Sequence, residues 1–299
     1  MSQASATSRT GRAGPPDGQT SVRQGYVIYQ GIRSPYLEAG ERGRGDAVVF
    51  LHGNPGSSQD WRDLLGRVGA FARAVAPDMP GYGRADKPRD FDYTVEGYAR
   101  HLNGVLDRLG VQRAHLVLHD FGGPWGLAWA AAHPERLASV TLINIGLMPG
   151  YRWHYLARIW RTPVLGELFF ATTTRFAFGL SLRHGNPRGL PKPFVDRMYR
   201  DLDWGTKRAV LRLYRATDDP GGMAAELAET FRSLDVPALV VWGAADPYVP
   251  VRYAEQQRSF FSRAKVVVLE RSGHWPFADD PESVADAVVP FLRAQVEPR

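Results

Sequence analysis

The chain has 299 residues, 44% hydrophobic and 23% charged, with a formal net charge of +6 and no cysteine. That is ordinary globular composition, long enough for one large α/β domain with an insertion and for a core that needs no disulfide or metal. Lack of cysteine excludes disulfide and thiolate chemistry and fits a reducing cytoplasm. No apolar run reaches the roughly eighteen residues of a membrane span, and the basic residues are scattered singly, so the expectation is a solvated Arg-rich surface with no nucleic-acid or membrane partner.

Residues 1–24 are rich in Ser, Gly, Thr, Arg and Pro and lack the apolar segment of a secretory signal, so they read as a disordered leader. Strand-like stretches follow at 26–29 and 34–38, separated by a turn at Gly31. Residues 47–51 (AVVFL) form a short, wholly apolar run ending in His52-Gly53, the pattern of a buried parallel strand. The same signature recurs at 72–77, 115–118, 140–143, 238–241 and 266–269. Between these runs, 95–109 places Tyr98, Leu102, Val105, Leu106 and Leu109 on one helical face. Residues 126–132 are small and apolar, suiting a helix pressed against a sheet, and 283–294 close the chain as an amphipathic helix. Alternation of this kind predicts a mostly parallel sheet flanked by helices. It breaks over 147–232, where an aromatic, Arg-rich stretch (151–178) leads to Pro- and Gly-bearing loops and two helical patterns at 193–202 and 206–217. This segment reads as a helical cap inserted between the two parts of the core domain, 25–146 and 233–299.

The chemistry centres on HLVLHDFGGPWG, residues 115–126. A buried strand runs into Asp120, and Gly122-Gly123 permit the sharp strand-to-helix turn that presents an apex residue at the C-terminal edge of a sheet. The apex is serine in G-x-S-x-G elbows, and that pattern is absent from this chain. Asp also caps helix N-termini well. Two partners in order give it a chemical reading. WGAADP carries Asp246 just past the strand at 238–241, and SGHWP carries His274 past the strand at 266–269. Nucleophile, acid, histidine is the chain order of an α/β-hydrolase triad.

These stretches, with LHGNPGSSQDW (51–61) and PDMPGYGRADKP (77–88), resemble the α/β-hydrolase-fold superfamily over about residues 26–292. Within it they are similar to the epoxide hydrolases and haloalkane dehalogenases. The resemblance implies an Asp120 nucleophile, with His274 as base oriented by Asp246 and the backbone N–H groups of Asn54 and Phe121 as oxyanion hole. A carboxyl titrating near about 4 is already ionised at neutral pH, so Asp120 would attack an sp³ carbon and His274 would activate the water that hydrolyses the resulting ester. The implied partners are a small hydrophobic substrate and water, with no cofactor and no metal. Two leaving groups stay open. Epoxide hydrolases of this family use cap tyrosines, which points to Tyr214, with Tyr155 or Tyr151 as a second. Dehalogenases commonly use the Asn of H-G-N-P and a Trp after the nucleophile. Phe121 stands there instead, leaving Trp153, Trp160 or Trp204 to substitute. Trp153 and Tyr155 are expected to line the pocket. Hydrolysis of an epoxide to a diol is the leading expectation, haloalkane dehalogenation the alternative, and a small-molecule receptor on the same fold a third.

Overall fold

The computed structural model describes residues 20–41 and 45–297; the expected leader lies outside them as far as residue 19. Strands β1 (Arg23–Tyr29) and β2 (Ile32–Ala39) form an antiparallel hairpin. Gln30 and Gly31 both take positive φ at its tip, the backbone that matches strand twist in two-residue turns. The strand therefore begins two residues inside the segment read as leader. Strands β3 (Asp46–Leu51), β4 (Ala74–Pro77), β5 (Arg113–His119), β6 (Leu137–Ile143), β7 (Ala238–Gly243) and β8 (Ala264–Leu269) run parallel to one another. The sheet order is β1-β2-β4-β3-β5-β6-β7-β8.

Helices α1 (Arg62–Val68), α2 (Val95–Arg108) and α3 (Gly122–Ala132) connect the first parallel strands. Thr94 caps α2 by accepting the Gly97 N–H at 3.0 Å, and the expected stripe of Tyr98, Leu102, Val105 and Leu106 is buried. Tyr98 stacks on Trp125 of α3 at 4.2 Å between ring centroids. Six helices lie between β6 and β7 among the described residues: α4 (Tyr155–Arg161), α5 (Leu165–Thr172), α6 (Arg175–His184), α7 (Lys192–Asp201), α8 (Trp204–Ala216) and α9 (Pro220–Arg232). Sequence patterning anticipated α7 and α8. It took 151–178 only as aromatic and Arg-rich, and it missed α9, whose buried positions are mostly Gly and Ala and leave little apolar periodicity. Helices α10 (Arg252–Gln256), α11 (Pro276–Asp279) and α12 (Pro281–Val296) complete the chain. Strands β3, β5, β6 and β7 are buried almost throughout, which demands cover on both faces, and α1 packs with α12 and α2 with α3 to provide it. The parallel strands all end on one edge, where the loops after β3, β5, β6, β7 and β8 converge.

Candidate active site

The loop after β5 holds Asp120 at φ +48, a left-handed conformation uncommon for a residue with a side chain. It persists because the next helix is pressed onto β3: a Cβ on Gly122 would lie 2.4 Å from the Leu51 carbonyl oxygen. The carboxylate of Asp120 rests against the loop after β3, where Gly53 leaves room and the Asn54 backbone N–H donates to Oδ1 at 2.6 Å. His52 pins that loop. Its Nε2 accepts from the Met79 N–H at 3.1 Å, and its Nδ1 donates to the Gly53 carbonyl at 2.9 Å.

Asp246 follows β7 and is fully partnered. Its Oδ1 accepts the N–H groups of Tyr248 (2.8 Å) and Val249 (3.0 Å), and its Oδ2 accepts Asn144 Nδ2 (2.8 Å) and His274 Nδ1 (2.7 Å). A buried carboxylate with all four bonds made is a fixed anchor for an imidazole. His274 turns its other nitrogen to Asp120, with Nε2 3.6 Å from Oδ2. Its loop is held from two sides. His119 Nε2 donates to the His274 carbonyl at 2.8 Å, and the His274 N–H donates to the Gly185 carbonyl, past the end of α6, at 2.9 Å.

Electrostatics follow this geometry. For Asp120, burial favours the neutral acid, but His274, His119 and the Asn54 N–H outweigh it and hold the carboxyl down at about 2. For His274, burial opposes the charge, yet the carboxylates of Asp246 and Asp120 prevail and raise it to about 10. The resting site therefore contains an ionised Asp120 beside a protonated His274.

Over this triad lies a cavity of about 300 Å³, closed by the helices between β6 and β7. Asn54, Asp120, Phe121, Trp153, Tyr214 and His274 all line it, so the structure brings these six expected residues together. Tyr214 is buried, its ring 4.9 Å from Phe121 and 5.0 Å from Trp153. Burial first, and the charge of Asp120 second, push its phenol well above 10, so it stays a neutral O–H donor. Tyr155 is a correction. It does not line the cavity and is half exposed, because on α4 the side chains of Leu156 and Trp160, four residues apart, point inward and Tyr155 points out. Tyr151 does line the cavity, but its hydroxyl donates to the Tyr248 carbonyl at 3.1 Å. Among the candidate tryptophans, Trp153 Nε1 donates to the Thr217 carbonyl (3.0 Å) and Trp204 is exposed, whereas Trp160 lines the cavity with its indole N–H unpartnered.

Sequence reasoning missed three residues here. His154 lines the cavity beside Tyr214; burial lowers it to about 4, and because Nδ1 accepts the Ala157 N–H at 3.3 Å, the neutral ring presents Nε2–H. Tyr248, also in the lining, packs its ring 5.3 Å from that of His274. Asn144, fully buried at φ +47, holds Asp246. Its signal was legible: it stands directly past β6 as Asp120 stands past β5, in the position where Asn tolerates a left-handed backbone. Among the described residues no group of three or more His, Asp or Glu is arranged to hold a metal ion.

The family model for the α/β-hydrolase fold matches residues 46–281. A haloalkane dehalogenase of Mesorhizobium japonicum is 33% identical, with 94% of this chain and 95% of the relative covered. A cis-3-alkyl-4-alkyloxetan-2-one decarboxylase of Xanthomonas campestris pv. campestris is 28% identical over 89% of this chain and 94% of its own. Among solved structures, a haloalkane dehalogenase from Bradyrhizobium elkani superposes with a TM-score of 0.80 at 24% identity, covering 92% of this chain and 99% of that one. An epoxide hydrolase superposes at 0.78 and 19% identity, covering 93% and 100%. With the strand order, the elbow and the convergent loops, these likenesses make the chain a member of the α/β-hydrolase-fold family, in its dehalogenase-like branch, and a hydrolase.

Proposed function

We propose that the protein hydrolyses an epoxide on a small apolar substrate to a diol, through an ester formed on Asp120. The observation that carries this reading is Tyr214, a buried phenol kept neutral in a cavity it shares with the Asp120 carboxylate. Asp120 Oδ1 is bound by the Asn54 N–H, which leaves Oδ2 to attack an epoxide carbon. The carbon–oxygen bond of the ring breaks, and the leaving oxygen takes a proton from the Tyr214 hydroxyl, with the neutral His154 as a second donor in reach of the same space. The product of this step is an alkyl ester of Asp120. His274, which rests protonated, passes that proton to the Tyr214 phenolate once the ester has removed the charge of Asp120; water then gives a proton to the freed Nε2 and attacks Cγ of Asp120. The oxyanion forms where Oδ1 already meets the Asn54 N–H, joined by the N–H of Phe121, and collapses to release the diol. The hydroxyl added to Cγ gives its proton to the departing diol oxygen, which leaves Asp120 ionised beside a protonated His274 and closes the cycle.

A second reading, hydrolytic dehalogenation, has specific support. The carboxamide of Asn54 and the indole N–H of Trp160 are both buried without partners, and a halide accepts such donors. Against it stand Phe121, which has no N–H, and Trp153, whose N–H is already taken up by Thr217. A receptor has no use for an Asp246–His274 pair aimed at a second carboxylate.

The test is a single turnover of styrene oxide in ¹⁸O-labelled water. The first diol formed carries oxygen from Asp120, and solvent label in that first product would sink the reading. His274→Ala should accumulate an ester visible by intact mass. Tyr214→Phe should lose epoxide opening while sparing displacement of bromide from 1-bromobutane; equal loss on both would transfer the role to another donor. A cis-3-alkyl-4-alkyloxetan-2-one belongs in the same substrate panel.

A further inference from the structure

Helices α5 and α6 are apolar on both faces. Inward, Phe169, Phe170, Ala177, Phe178 and Leu182 line the cavity over the triad. Outward, Val164, Leu165, Leu168, Phe176 and Leu180 are exposed, Val164 by 77% and Phe176 by 75%. A helix apolar all round is normally covered on every side, and surface leucines and phenylalanines grouped on successive helices mark a contact surface. Val164, just before α5, sits at φ +68, a region that a β-branched residue avoids. The chain is thus held in a strained shape that keeps an apolar side chain in water.

Charge indicates what covers this face. Residues 147–232 contain 14 Lys and Arg against 8 Asp and Glu, a surplus equal to the +6 of the whole chain, so the remainder is neutral. Within that segment Arg152, Arg158, Arg183, Arg200, Arg208 and Arg212 are exposed, and among the described residues none pairs with a carboxylate. On α6, Phe176, Leu180 and Arg183 fall at helical spacing on one outward stripe.

From this combination we infer that the outer face of α5 and α6 docks on an anionic lipid surface, from which apolar substrate passes between the same helices into the cavity. A second copy of the chain is the weaker occupant, because it would set one basic segment against another. Exposed apolar side chains on a basic segment, with Arg183 on the same stripe as Phe176 and Leu180, are what an interfacial helix offers to acidic headgroups and the acyl boundary. The sequence expectation of no membrane partner rested on the absence of a span and on singly scattered arginines; it had no means of seeing which apolar residues face outward. Docking does not depend on the epoxide reading, and only the delivery of substrate rests on it.

The full chain is tested by sedimentation with vesicles of pure phosphatidylcholine and with vesicles containing about one third phosphatidylglycerol. Binding to the anionic vesicles should exceed binding to the neutral ones by about ten-fold at low salt and weaken as salt screens the headgroups. Phe176→Glu with Leu180→Glu should lower it about ten-fold, with an unchanged melting temperature and unchanged turnover of a freely soluble substrate. Arg183→Glu should weaken binding to anionic vesicles only. No binding to anionic vesicles at low salt overturns the inference. So does a concentration-dependent dimer that the Phe176→Glu, Leu180→Glu variant abolishes, which would make the face a self-interface. Binding to polyglutamate as tight as to vesicles, and indifferent to Phe176→Glu, overturns it as well. None of these outcomes requires that an epoxide be turned over.

Discussion

Asn186 accepts the backbone N–H of Trp275 at 2.9 Å, so the loop carrying His274 is tied to the inserted helices as well as to the sheet. The tie is tight. Asn186 is fully buried, its Nδ2 donates to the Leu182 carbonyl at 2.8 Å, and a Cβ on Gly273 would fall 2.0 Å from the Gly185 oxygen. Helix α6, which walls the cavity, thereby helps fix the imidazole below it.

Asn186→Ala should therefore act on one half of the cycle. It strands a buried N–H at a cost of about 1–3 kcal/mol and lets the His274 loop drift. Ester should form on Asp120 at near the wild-type rate and hydrolyse about ten-fold more slowly or worse. Rapid-quench intact mass separates the two steps. Equal slowing of both would assign Asn186 a purely structural role. Asn186→Asp keeps the acceptor for Trp275 and should recover part of the loss.

The two half-reactions should separate with pH. Asp120 is held down at about 2, so attack continues well into acid. His274, near 10 in the resting site, carries a proton that would block its action as a base. Burial lowers that value, and Asp246 and then Asp120 raise it. Esterification removes the Asp120 charge and its hydrogen bond, so the pKa of His274 falls once the ester exists. Ester should accumulate as pH drops, and hydrolysis should speed up with an apparent pKa below 10. Accumulation that grows toward alkaline pH would contradict His274 as the base.

Acid should also unfold the protein through buried histidines outside the triad. Burial lowers His101 and His115 to about 4 and His119 to about 3, against 6.5 when unfolded. A depressed histidine contributes stability that is complete above pH 6.5 and is lost as pH falls through the folded value, on the order of 3 kcal/mol for each of the first two. His274 has the opposite sign: its contribution is complete below 6.5 and is lost as pH rises through about 10. Urea midpoints at several pH values between 7 and 4 should fall steeply. His101→Gln, beside its Ser34 partner at 2.9 Å, should flatten that fall; an unchanged slope would show that His101 does not take up the proton.

Gly53→Ala should abolish turnover without unfolding the sheet. The new Cβ would sit 2.2 Å from the Asp120 Cβ, so the nucleophile must shift. A displacement on the order of 1 Å at a reacting group costs about a hundred-fold in rate. Native near-ultraviolet circular dichroism combined with no ester by mass is the expected result, and normal ester formation would disprove the close approach.

Much of this was legible in the chain. The central parallel strands announced themselves as short apolar runs, because burial on both faces leaves no room for alternation. Asp120, Asp246 and His274 drew notice because each stands on the loop that follows such a run, and the structure sets the three side by side. What stayed hidden depends on distance in sequence. His154 meets Tyr214 across 60 residues, and Asn186 meets Trp275 across 89. No local pattern encodes either meeting. Tyr155 went astray for a related reason: nothing at the first position of α4 says which way the helix will roll. Asn144 was within reach, since it follows β6 directly as Asp120 follows β5, but its neutral amide carries no charge to mark it.

The amide of Asn54 serves both ends of the proposed cycle, and that sets a kinetic compromise. In the free enzyme it grips Oδ1 of the very carboxylate that must attack. Every increment of strength in that grip makes the nucleophile less reactive and the later oxyanion more stable. The loop after β3 therefore acts as a balance between attack and release, and a variant that loosens it should open substrate faster while clearing the ester more slowly. The steady-state share of alkylated enzyme would be the reading on that balance.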